Sequence, residues 1–100
     1  MKNLIQLKHE EFQERYGENN SNYLMMTRII NKYLKSDTSF DYDLSICDRT
    51  LRRYSSGDCL PKQPHVIRAI AKLCNVPPGT LMSDLERYNK WKKEYETNGT

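Results

Sequence analysis

The chain has 100 residues, 37% hydrophobic and 29% charged, with a formal net charge of +3. That length makes one domain with one small core, and the periodic apolar positions exclude a disordered chain. Met1-Lys2-Asn3-Leu4-Ile5-Gln6 turns polar too early for an export signal, and no apolar run reaches membrane length. Cys47, Cys59 and Cys74 are too widely spaced for zinc. The expectation is a cytoplasmic protein with free thiols, no metal, no cofactor and no small-molecule substrate.

Charge is uneven along the chain. Residues 1–47 hold six Lys/Arg against seven Asp/Glu, residues 73–100 hold four against four, and residues 48–72 hold six against two. The surplus belongs to Arg49, Arg52, Arg53, Lys62, Arg68 and Lys72. A local basic patch attracts polyanions, although a plain solvated face gives the same count.

In chain order, residues 3–16 read as a helix with Ile5, Phe12 and Tyr16 on one stripe, stopped by Gly17. After a polar linker, Ser21 or Asn22 can cap a second helix running to about Lys35, with Leu24, Met25, Ile29, Tyr33 and Leu34 at helical spacing. Ser36-Asp37-Thr38-Ser39 breaks the pattern and can cap a short segment at 39–44, followed by a tight turn at Ser45-Ile46-Cys47. Residues 48–55 form a short helix that Gly57 ends, with Asp48 as its expected cap. Pro64 opens the next helix, 64–74, with Val66, Ile67, Ile70, Ala71 and Cys74 inward and Asn75 in the left-handed position past its end. Val76-Pro77-Pro78-Gly79 is expected to turn. Ser83 and Glu86 have capping-box spacing for a last helix whose stripe is Leu81, Leu85, Tyr88, Trp91 or Lys92, and Tyr95.

The apolar set Phe40, Leu44, Ile46, Leu51 and Tyr54 suits two short helices crossing steeply, and if Leu51 and Tyr54 face inward then Arg49, Thr50, Arg52 and Arg53 face outward. Arginine can bond a guanine edge through two donors, or bind phosphate.

The run Ile46-Cys47-Asp48-Arg49-Thr50-Leu51-Arg52-Arg53-Tyr54-Ser55-Ser56-Gly57 resembles the turn and recognition helix of the Cro/CI-type (XRE-like) helix-turn-helix family. Asp58-Cys59-Leu60-Pro61 matches that family's loop, Ile70 to Val76 its fourth-helix ending, and Thr80-Leu81-Met82 the start of its fifth helix. The chain departs from it with Asp41 where a small residue is usual and Ser45 where Gly is frequent. The resemblance implies an all-α fold: a five-helix bundle over 22–84, an added N-terminal helix and linker at 1–21, and a C-terminal extension at 85–100. It also implies a sequence-specific regulator of transcription, a repressor in bacterium or phage, that binds double-stranded DNA as a homodimer.

On this reading Arg49, Thr50, Arg52 and Arg53 contact bases, with Arg49 the foremost reader and Arg52 or Arg53 either reading a base or clamping phosphate. Thr38, Ser39, Lys62, Gln63 and His65 contact phosphate. Leu85, Tyr88, Trp91 and Tyr95 form a dimer or partner contact, or else pack on Phe12 and Tyr16 of the first helix. A rival reading makes the chain a helix-turn-helix scaffold for protein binding, either an antitoxin or a phage-encoded inhibitor of a host enzyme. No nucleophile–base pair or paired carboxylates can be assembled, which argues against an enzyme.

Overall fold

A computed structural model of the chain describes residues 1–18, 22–37 and 45–98. The fold is all-α, with five helices among the described residues: α1 (Leu4–Tyr16), α2 (Asn22–Ser36), α3 (Asp48–Ser56), α4 (Pro64–Leu73) and α5 (Pro78–Asn98). The expected segment at 39–44, with Phe40, Asp41 and Leu44, lies outside the described residues, as do Thr38 and Ser39.

Each helix begins and ends for a local reason. Asn3 caps α1: its side chain accepts the Gln6 N–H while the Gln6 side chain accepts the Asn3 N–H, both at 2.9 Å. Gly57 takes a left-handed conformation after α3, and the N–H groups of Gly57 and Asp58 fold back onto Tyr54 and Arg53. Asn75, the one non-glycine residue with positive φ among the described residues, does the same after α4, with Val76 bonded to Ala71. Pro64 opens α4 at its first position, where no N–H is needed.

Several sequence-based expectations are corrected. Asn22 does not cap α2 but lies inside it, buried, and its Nδ2 donates to the Gly17 carbonyl at 2.9 Å, while Ser21, the other expected cap, lies outside the described residues. The buried stripe of α2 is Met26, Thr27, Ile30 and Leu34, so Leu24 and Met25 were one step out of phase and Leu24 is exposed. Tyr16 is exposed as well. Cys47, not Asp48, is the residue before α3. Residues 76–79 are not all turn, because α5 starts at Pro78. Ser83 and Glu86 therefore fall inside that helix rather than at its cap.

One core runs through the chain. Ile5 of α1, Met26 and Ile30 of α2, Leu51 of α3, Ile70 of α4 and Leu81 and Leu85 of α5 are all essentially inaccessible and belong to one cluster. Each such side chain contributes about 1.5–3 kcal/mol of burial. Ile5 brings α1 into the common core, and α5 runs from Pro78 to Asn98 as one helix. Helix α2 is central and packs on α1, α3 and α4, while α5 packs on α4 and α1.

Candidate nucleic-acid interface

Helix α3 is held from both sides and at both ends. Before it, Asn31 of α2 grips the backbone of Ile46: Asn31 Oδ1 accepts the Ile46 N–H at 2.9 Å and Asn31 Nδ2 donates to the Ile46 carbonyl at 3.0 Å. Along its inner face Leu51 and Ser55 are buried. After it, the terminal carbonyls that a helix leaves unpaired find donors in distant side chains. Asn3 Nδ2 donates to the Ser55 carbonyl at 3.0 Å, Lys92 Nζ to the Ser56 carbonyl, and Asn89 Nδ2 to the Gly57 carbonyl at 2.8 Å. Lys92 also stands 3.7 Å from the Asp58 carboxylate.

The outer face of α3 is basic. At 100° per residue, Arg49, Arg53 and Ser56 line up opposite Leu51 and Ser55, with Arg52 on one flank and Thr50 on the other. Arg49, Arg52 and Arg53 are exposed. No described carboxylate stands within ion-pair distance of Arg49 or Arg53, whereas Arg52 lies 3.6 Å from Asp48 and over the Tyr23 ring, 5.4 Å from its centroid. Tyr23 is itself fixed: its hydroxyl is 2.9 Å from Ser55 Oγ, and His9 of α1 stacks on its ring at 3.9 Å. Burial first, and the Arg52 charge second, hold the His9 imidazole below the ordinary histidine range, against the opposing pull of Glu10.

Thr50 is half-buried and faces a groove between α3 and α4, where its hydroxyl is 3.3 Å from Cys47 Sγ. That hydrogen bond, with backbone N–H groups of α3 adding to it, lowers the Cys47 thiol from its ordinary range. The groove has a volume of about 670 Å³, and Arg53, Lys62 and Gln63 stand among its walls. Lys62 and Gln63 are exposed just ahead of α4, whose first turn receives no side-chain cap from Gln63. A cation beside uncapped N–H groups suits an anion.

The other expected contacts are placed differently. His65 does not lie open beside Lys62: its Nδ1 is 2.6 Å from an Arg68 nitrogen and 3.7 Å from Asp37, and Arg68 bonds Asp37 at 2.8 Å. Arg68 and Lys72 both turn toward α2, Lys72 over the Tyr33 ring. Leu85 and Tyr88 are in the chain's own core, at 1% and 6% exposure, so they are not available to a partner. Trp91 is tilted against Tyr88 and stacked on Tyr95 of its own helix, and Tyr95 is 66% exposed.

Sequence reading missed Asn3, His9, Tyr23, Asn31, Asn89 and Lys92, which position α3. Only Asn3 carried a local signal, its capping-box spacing to Gln6. Compared with protein-family models, curated proteins and solved structures, the chain finds no significant match in any of the three.

Proposed function

We propose that the chain is a sequence-specific double-stranded DNA-binding regulator of transcription, a repressor of Cro/CI type acting in the cytoplasm, that lays α3 in the major groove. The observation that carries the reading is the exposure of Arg49, Arg52 and Arg53 on one short helix whose opposite side, at Leu51 and Ser55, is buried. Arginine forks on a rigid helix suit base edges and phosphates. Lys62, Gln63 and the open first turn of α4 supply a phosphate clamp beside the groove. Selection of bound duplexes from a random pool tests the reading. A recurrent motif, with affinity falling steeply as salt rises, is the expected result; a salt-independent Kd or an unenriched pool refutes it.

One observation favours a protein partner in addition. Tyr95, stacked on Trp91, presents aromatic surface beyond the core. A second copy docking there would give the two-fold dimer that a palindromic operator requires. A scaffold that acts by binding another protein would use the same surface. Alanine at Arg49, Arg52 and Arg53 abolishes function on the DNA reading, whereas alanine at Trp91 and Tyr95 alone abolishes it on the scaffold reading.

A further inference from the structure

The groove between α3 and α4 holds more than a phosphate clamp needs. Its volume of about 670 Å³ falls in the range of small-molecule sites. Ile46, Tyr54, Leu60 and Val66 supply apolar lining. Val66 belongs to the core and the other three pack on it, so this surface is formed before any ligand arrives. No carboxylate is among the lining residues, whereas Arg53 and Lys62 bring two cations to it. Neither cation is ion-paired among the described residues. The first turn of α4, beside Lys62, receives no side-chain cap from Gln63. A phosphodiester would use the cations and leave the apolar lining wet. Charge and lining together call for an anion that carries an organic body.

We infer that this groove binds a small aromatic carboxylic acid, its ring against Ile46, Tyr54, Leu60 and Val66 and its carboxylate on Arg53 and Lys62, and that the bound acid competes with duplex. The ring supplies affinity by leaving water for a preformed apolar surface. The two cations select the charged form and fix which end points outward. The site itself stands apart from the duplex-binding reading, and only the competition rests on it. Arg53 is the shared part: it stands in the middle of the exposed face of α3 and also in the groove wall. A guanidinium paired with the carboxylate of a ligand is withdrawn from the duplex. The acid must then weaken duplex binding by the same factor by which duplex weakens the acid.

The groove carries its own reporters, because Cys47 and Cys59 are among its walls and both are free thiols. The test uses the full chain, with naphthoate as the probe and naphthamide as its uncharged counterpart of the same shape. Alkylation of each cysteine by iodoacetamide is followed by mass spectrometry. Naphthoate should slow labelling at Cys47 and Cys59, and naphthamide at equal concentration should not. Arg53→Gln and Lys62→Gln, both at exposed positions, should each raise the naphthoate concentration needed by about 3-fold to about 10-fold. Unslowed labelling, equal slowing by the two compounds, or protection that survives both substitutions overturns the site. Naphthoate should also weaken binding of the selected duplex. Protected thiols with unchanged duplex affinity overturn the competition and leave the site standing. Protected thiols in a chain that binds no duplex at any salt concentration refute the duplex-binding reading and, with it, the competition.

Discussion

Asn31 closes a two-bond ring with the backbone of Ile46, accepting its N–H at 2.9 Å and donating to its carbonyl at 3.0 Å. A side-chain amide thereby does what a neighbouring strand would do, and it sets the direction from which the chain enters α3. Removing it leaves two backbone groups of a half-buried residue without partners. Asn31→Ala should cost about 1–3 kcal/mol, read as a fall in the urea midpoint with an unchanged slope. Asn31→Asp keeps the acceptor alone and should fall between the two; an unchanged midpoint in Asn31→Ala would show that the grip is dispensable.

Gly57 is required twice over. Its φ of +82° strains any side chain, and a Cβ there would meet Tyr88 Cε1 at 2.9 Å and Lys92 Cδ at 3.2 Å. The backbone cost is about 1–2 kcal/mol, and displacing a core tyrosine adds to it. Gly57→Ala should lower Tm by roughly 4–8 °C or more for a domain of this size. A calorimetric scan with no shift would mean that α5 yields without loss.

The three thiols should separate by reactivity. Burial pushes the Cys74 thiol up to about 11, so at pH 8 only about one molecule in a thousand presents its thiolate. Cys47 is exposed and lowered by its hydrogen bond from Thr50. Iodoacetamide followed by mass spectrometry should label Cys47 first and Cys74 last in the folded chain. Thr50→Val should slow Cys47 and leave Cys74 as it was. Labelling of Cys74 at the Cys47 rate would contradict the burial.

His9 predicts an acid sensitivity of definite sign. Its folded pKa lies below the unfolded value, near 6.5, chiefly through burial and then through Arg52. The unfolded chain therefore binds the proton more readily. The contribution of His9 to stability is complete above pH 6.5 and is lost as the pH falls from there through the folded pKa. Tm should drop between pH 7.5 and pH 5.5, and His9→Phe, which keeps a ring on Tyr23, should flatten the drop. An equal drop in both proteins would assign the acid response elsewhere.

Much of the fold was legible where structure is local. Gly57, Asn75 and Pro64 each mark a helix boundary through their own backbone preferences, and all three stand where expected. Errors arose where a local pattern had two solutions. Leu24-Met25-Met26 offers two adjacent phases for one stripe, and tertiary packing chose Met26. Ser83 and Glu86 have the spacing of a cap, but Pro78 had already begun the helix. The basic face of α3 could be read because it lies within nine residues. Its supports could not: the bond from Asn3 to Ser55 spans 52 positions and that from Asn89 to Gly57 spans 32, and no periodicity links such pairs.

That dependence reaches back to synthesis. The carbonyls of Ser55, Ser56 and Gly57 are met by residues 3, 92 and 89, so a nascent chain cannot finish pairing the C-terminal end of α3 until residue 92 has left the ribosome. A growing polypeptide with its arginines already translated would carry the charge before the far end of the helix is fixed. Proteolytic clipping before residue 89 would take the donors away from the Ser56 and Gly57 carbonyls of a finished molecule.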